Sequence, residues 1–416
     1  MSEIRRLKET EFEALVEISD NAYPVFRSTQ PEDREKKKER LLEAHNEDPL
    51  VDFYGLFREG QLRGVMRLHD FTMNFLGVPM LAGGVGAVAV DLLHKKEHVA
   101  KELIAYFLAH YREQGAALAI LYPFRPDFYK RMGFGYGPKM DQYRVKPDAF
   151  PKGPSKVHLR VLGVADVAAV LACYTRYAQR THGMIERRER DIKKMLENSE
   201  HVIIGYERAG RIEGYMVFDF QKGEMSLHND IHIRELVYEN HAALSELMTY
   251  LHTQADQIRR VIFETLDPTF YFLLSDPRNG APNLIPPVYH ESNVQGVGLM
   301  FRVIDAPRVF ELLQARDFGG QTCRLRLTLT DSFLPENAGS TTLYFERGRA
   351  ALADEGAVAD VEVRMDVAEF SSLLAGAVDF EALMLYGLAE ISDPTYVPAI
   401  QRLFWVERGP VCMTGF

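Results

Sequence analysis

Cysteine is scarce in this chain: Cys173, Cys323 and Cys412 are the only three in 416 residues, far apart and in no CxxC or Cys/His cluster. That spacing signals neither a disulfide framework nor a structural zinc site, and it fits a reducing cytoplasm. An excess of basic charge is missing too. Lys plus Arg number 49 against 59 Asp plus Glu, a formal charge of −10, so there is no broad positive field to condense on nucleic acid or anionic lipid. Neither nucleic acid nor a membrane is expected as a partner. No stretch reaches the roughly 18 apolar residues of a membrane span. The opening MSEIRRLKETEFEAL carries charge where a secretory leader would be apolar. The protein is expected to stay in the cytoplasm, where it is made.

What is present is a soluble globular composition, 46% hydrophobic and 26% charged, too long for one ordinary core and implying two to four domains. A T-x-x-E pattern at Thr10 and Glu13, with Phe12, Leu15, Val16 and Ser19 at helical spacing, predicts a capped amphipathic helix over 10–20. A second helix is expected in the charged run near 34–44. From 53 to 90, short Val, Leu and Phe runs broken at Glu59-Gly60 and Gly77-Val78-Pro79 predict three antiparallel strands. A helix over 96–114 follows, with Val99, Leu103, Phe107 and Tyr111 on one stripe, then a buried strand over 116–122.

The PKGPS stretch at 151–155 combines breakers with a charge and is the best linker in the first half. Beyond it the chain starts again. Gly55, Gly60 and Gly64 recur in spacing as Gly205, Gly210 and Gly214, displaced by 150 residues, with helical patterns before and after each set. Duplication of a whole domain is the economical reading. After about 304 the TCRLRLTLTD strand, further strands near 341–347 and 361–365, and a helical stretch at 367–376 form an α+β unit. The expected domains are 1–150, 155–304 and 305–416.

The most informative stretch is Val88, Ala89 and Val90, a strand that runs through Lys95 and Lys96 into a helix. The first N–H groups of a helix lack intrahelical partners and sit at the positive end of its dipole, so a pyrophosphate can bind there beside two lysines. The same residues also suit an ordinary solvated helix end. The stretch resembles the acetyl-CoA signature of the GNAT superfamily, Arg/Gln-x-x-Gly-x-Gly/Ala, with Lys95 in the first slot, Ala100 in the last and His98 where glycine is usual. The resemblance implies that Val88, Ala89 and Val90 pair with the pantetheine arm. Lys95, Lys96, Glu97, His98, Val99, Ala100 and Lys101 would then wrap the pyrophosphate. His98 departs from the signature, and its imidazole is expected to turn outward or its N–H to join the cradle.

Downstream, the run from Phe128 and Tyr129 to Gly133 and Phe134 is similar to the F/Y-Y-x-x-x-G-F run of GNAT cores. It implies that Tyr129 sits by the thioester sulfur, where a phenol protonated at neutral pH can act as general acid. A tyrosine packed on a short helix before a glycine turn is the alternative. Phe124 and Arg125 carry over as lesser cofactor contacts. A GNAT domain, a degenerate second copy and a C-terminal unit like sterol carrier proteins together resemble the enhanced intracellular survival (Eis) family of N-acetyltransferases, a mixed α+β architecture. The second copy reads ELVYENHA from 235, with neither a basic pair nor a glycine, so it is expected to have lost acetyl-CoA.

The resemblance implies acetyl transfer from acetyl-CoA, without a metal, to a primary amine of a polycationic small molecule such as an aminoglycoside or polyamine, in a homo-oligomer, a hexamer in the family. A non-enzymatic binder of an apolar ligand, or a protein-lysine acetyltransferase, stands as the alternative. The H-x3-H pairs, His94 with His98 and His228 with His232, are not expected to hold metal: two lysines flank the first, and the second reads as strand. The charged run 32–40 reads as a solvated helix face, Asp20 as a helix-end polar residue, and Cys412 as a buried small residue. The chain closes on Trp405 and an apolar, aromatic tail that is expected to dock. In the family resembled, a similar terminal aromatic puts its carboxylate in the acetyltransferase pocket, so Phe416 is carried over as the base for the amine proton.

Overall fold

A computed structural model of the chain describes residues 2–223, 229–354 and 356–416. Two compact units emerge. One holds residues up to Gly137 with Leu299–Arg408 and Thr414–Phe416, the other Pro138–Gly298 with Gly409–Met413.

The first unit runs β1 (Ser2–Arg6), α1 (Phe12–Ala22), α2 (Pro31–Glu47), β2 (Val51–Arg58), β3 (Gln61–Phe75), β4 (Val78–Val90), α3 (Val99–Glu113), β5 (Leu118–Leu121), α4 (Pro126–Lys130) and β6 (Gly135–Tyr136). Both expected hairpin turns form, and both place two residues at positive φ: Glu59 and Gly60 at 54° and 75°, Leu76 and Gly77 at 56° and 87°. Those angles match the right-handed twist of the flanking strands. Two helix starts differ from expectation. The Thr10–Glu13 cap does not form. Instead the Lys8 N–H donates to the Glu11 carboxylate at 2.7 Å, and a 3₁₀ turn leads into α1. Helix α3 begins three residues late, because Lys96 and His98 take left-handed angles of 68° and 64°. Strand β1 was not expected; five residues without a long apolar run give no periodic signal. Val99, Leu103, Phe107 and Tyr111 are all at most 1% exposed and seat α3 on the sheet.

The second unit contains β7 (Lys139–Val145), β8 (Leu159–Val161), α5 (Val167–Arg180), α6 (Glu189–Glu197), β9 (Val202–Arg208), β10 (Arg211–Lys222), β11 (Asn229–Tyr238), α7 (His241–His252), β12 (Ile258–Thr265), β13 (Leu284–Ile285), β14 (Tyr289–His290) and β15 (Asn293–Val297). Its sheet order is β15-β7-β12-β11-β10-β9-β8. Strand β7 precedes the PKGPS stretch yet pairs in this sheet, so that stretch lies inside the second unit. The β9–β10 hairpin repeats β2–β3, with Ala209 and Gly210 at 51° and 75° in its turn. Gly64 and Gly214 also do one job twice. A Cβ would come within 2.5 Å of the Val99 side chain in the first copy and 3.0 Å of Ala243 Cβ in the second, so each glycine lets the helix after the hairpin lie close.

The chain then rejoins the first unit through β16 (Met300–Val303), followed by α8 (Ala306–Leu312), β17 (Cys323–Thr330), β18 (Gly339–Glu346), β19 (Arg349–Leu352), β20 (Val361–Asp366), α9 (Val367–Leu374), α10 (Phe380–Leu385), β21 (Ala389–Ile391) and α11 (Val397–Leu403). The last five strands form a sheet of order β19-β18-β17-β20-β21, so this region has the expected α+β character. Strand β16 inserts into the first sheet, which reads β1-β2-β3-β4-β5-β16-β6. Its Arg302 is fully buried, with Nη2 donating to both oxygens of Asp331 at 2.9 and 2.8 Å.

Candidate active site

The parallel pairing of β4 and β5 covers only Ala82, Gly83 and Gly84. Beyond Gly84, β4 keeps β3 on one side and has no strand on the other among the described residues, so the sheet opens into a cleft at its middle. A bulge sharpens the opening: Val65 pairs with Ala89 and Arg67 with Gly86, which leaves Ala87 and Val88 opposite Met66, with Ala87 at φ 50°. The Tyr23 hydroxyl donates to the Val88 carbonyl at 2.7 Å. An unpaired strand edge is what an extended, amide-bearing chain needs in order to add as a strand.

At the end of β4 the chain makes a short 3₁₀ turn, Leu92–His94, and passes through exposed Lys95, Lys96, Glu97 and His98 into α3. His98 is the N-cap, with no side-chain cap bond, so the first N–H groups of α3 stay available to an anion. Its imidazole is exposed, and its left-handed angles are those glycine would adopt freely. Glu97 accepts from Arg58 Nη1 at 3.4 Å and lies 3.1 Å from His94 Nδ1, which leaves only its main chain for a phosphate. Val99 is buried and Ala100 half-buried. Lys101 is exposed, its ammonium 5.7 Å from the Phe333 ring.

Tyr129 lies on α4, 3% exposed, its ring edge-on to Phe124, Phe128 and Phe134 at 5.9, 5.2 and 6.0 Å. Its hydroxyl has no hydrogen-bond partner among the described residues. Burial, aided by nearby Tyr23, pushes its pKa well above that of an ordinary phenol. Gly133 ends this turn at φ 80°, where a Cβ would collide with the Arg302 guanidinium. Phe124 is 59% exposed. Arg125 donates to Asp127 at 3.1 and 2.7 Å.

The tail returns to the same region. The Phe416 ring packs against His69, Phe71 and Tyr122 at 5.5, 4.8 and 5.1 Å. Its carbonyl carbon lies 3.0 Å from where a Cβ on Gly86 would sit, and Arg67 Nη2 lies 3.5 Å from that point. Burial first, then the Arg67 cation, pull His69 down to about 3, so it is neutral at physiological pH. Asp20 is buried and accepts from Lys37 Nζ at 2.5 Å, a structural ion pair, which accords with its reading as a helix-end residue.

Three domain models match in series: an acetyltransferase (GNAT) domain over residues 3–137, a second acetyltransferase (GNAT) domain over 177–302 and a sterol carrier protein domain over 309–413. The chain is a GNAT acetyltransferase with two such domains and a sterol carrier protein domain after them. An uncharacterized N-acetyltransferase from Streptomyces coelicolor is 25% identical over 335 residues, 76% of each chain. The solved structures that match over 100% of both chains include GCN5-related N-acetyltransferases from Kribbella flavida (20% identity, TM-score 0.80) and Anabaena variabilis (17%, 0.82), and Eis1 from Mycobacterium abscessus (18%, 0.76). At these identities the likeness is one of fold.

The second GNAT unit of this acetyltransferase differs where the first one opens. Strand β11 passes into α7 almost directly, and the Asn240 side chain caps that helix by accepting from the Ala243 N–H at 3.0 Å. Glu239 precedes it, accepting from Arg176 and Arg211 at 2.5 and 2.6 Å, and offers an anion no welcome. Glu235 sits buried between Tyr215, which donates at 2.5 Å, and Arg187, at 2.7 Å, where the first copy has its bulge. Of the two histidine pairs, His228 lies outside the described residues, while His232 is a β11 residue 2.6 Å from Glu264. Among the described residues no cluster of three or more His, Cys, Asp or Glu could hold a metal, and no helix is long and apolar enough to cross a membrane. Cys412 is buried, as are Cys173 and Cys323.

Proposed function

We propose that the first unit transfers acetyl from acetyl-CoA directly to a primary amine held with it in one ternary complex. The observation that carries this reading is the unpaired edge of β4 beside both an uncapped helix start and a buried tyrosine. Acetyl-CoA, when bound, supplies the acetyl group as a thioester. The chain's own groups do the rest. Lys95, Lys96 and the first N–H groups of α3 hold the pyrophosphate, with Lys101 alongside, and Val88, Ala89 and Val90 offer their edge to the pantetheine amides. Edge N–H groups aimed at the thioester carbonyl polarise it. Tyr129, a phenol protonated at neutral pH, gives its proton to the departing sulfur. Phe124 and Arg125 border the thioester end.

The proton lost by the amine is assigned to the carboxyl of Phe416, a role that requires residue 416 to carry a free carboxylate. An α-carboxylate is by nature a weak base, so its part is to orient the ammonium while water takes the proton. The polycationic acceptors that the resemblance implies gain no support from Asp20, which Lys37 neutralises. Holding both reactants in one cleft removes much of the entropy cost of their encounter.

The test is incubation with acetyl-CoA and a panel of primary amines, following free thiol and identifying N-acetyl product by mass. Amine-dependent thiol release with matching product is expected. No release with any amine would overturn the reading and favour an apolar-ligand-binding protein.

A further inference from the structure

Arg67 is the one feature of the cleft that acetyl transfer to a simple amine leaves without a purpose. It lies on β3 opposite Gly86, at the bulge, with Nη2 facing the point that Phe416 also faces. Its Nε is buried with no hydrogen-bond partner, and no side-chain carboxylate among the described residues pairs with it. The charge that acts on it is another cation, Arg40; burial first, and Arg40 second, lower its pKa. Arg302 and Arg187, by contrast, are matched by Asp331 and Glu235. A desolvated guanidinium that no side-chain carboxylate matches costs stability, and its planar set of donors suits a carboxylate.

We infer that the acceptor is an amine that also carries a carboxylate, an amino-acid-like molecule whose carboxylate is received by Arg67 while its amine faces the thioester. This rests on the proposed acetyl transfer. The cleft fits such a molecule in two further ways. Neutral His69 adds no charge of its own, and the rings of His69, Phe71, Tyr122 and Phe416 form an apolar wall that suits an aromatic body better than a polyamine.

The experiment compares matched pairs that differ only in the carboxylate, tyrosine with tyramine and tryptophan with tryptamine, together with spermidine, by thiol release and product mass. The amino acid of each pair is expected to show a kcat/KM roughly 10- to 100-fold higher than its amine, as one charge-assisted bidentate contact provides. Arg67→Met should collapse that ratio toward one, and Arg67→Lys should retain part of it. Amines or spermidine used as well as the amino acids by the wild-type protein would overturn the inference while leaving acetyl transfer standing. So would an equal loss on both members of each pair in the Arg67 variants, since Arg67 would then serve only the end of the chain. No release with any acceptor would overturn the proposed transfer itself.

Discussion

Tyr129 is protonated at neutral pH, as any phenol is, and burial among three aromatic rings raises its pKa further, so it keeps its proton until negative charge appears on the leaving atom. Tyr129→Phe keeps the packing and deletes the proton. Turnover should fall about 10²-fold with acetyl-CoA affinity nearly intact; wild-type turnover in steady-state assays would make the residue a packing element only. His98 tests a second residue-level point. Its left-handed angles cost about 1 kcal/mol that glycine would not incur, yet its side chain is exposed and caps no N–H of the helix. His98→Gly is therefore expected to leave acetyl-CoA affinity within about twofold and to change stability by no more than about 1 kcal/mol. Calorimetry and thermal melts check both, and markedly tighter binding would mean that the imidazole obstructs the loop. Lys95, Lys96 and Tyr129 were legible because each belongs to a contiguous run with a chemical rationale. Tyr23, Arg67, His69 and Gly86 were not. They meet only through the register of β3 with β4 and the extra residue of the bulge, which no local pattern announces.

At the level of elements, the cleft depends on where pairing stops. Three paired residues between β4 and β5 leave the rest of β4 open, and β16 takes the other edge of β5. The helices and the two hairpins were readable from apolar spacing and turn residues, including the duplicated glycine spacing. The insertion of β16 was not, since Met300–Val303 lies almost two hundred residues from its partner Leu118–Leu121 and three apolar residues around an arginine say nothing about which sheet they join. Gly133 couples the Tyr129 turn to that insertion. Gly133→Ala would drive a Cβ into the buried Arg302 at positive φ and should cost more than about 3 kcal/mol or prevent folding; a melt within 2 °C or so of wild type would contradict this packing. The α3 start makes a different demand. Changing Lys95 and Lys96 together to Ala should raise the KM for acetyl-CoA about 10-fold or more, with a smaller effect on kcat, because the phosphates lie far from the bond that breaks. A fall in kcat alone would place the lysines elsewhere in the reaction.

For the whole molecule, duplication has produced two sheets of one kind with opposite chemistry at the same place. The first unit presents an open strand edge, an exposed pair of lysines and a helix start that no side chain caps. The second fills the corresponding region with Glu235, Tyr215 and Arg187, caps its helix with Asn240 and sets Glu239 beside it. The helix start is open to an anion in the first and already capped in the second. The central claim is thus a single working transferase site, in the first unit. Calorimetric titration of the full chain with acetyl-CoA tests it most directly. One molecule bound per chain, with binding weakened in the Lys95, Lys96 double variant, is the expected result; two per chain, or one that the double variant binds as tightly as wild type, would contradict it.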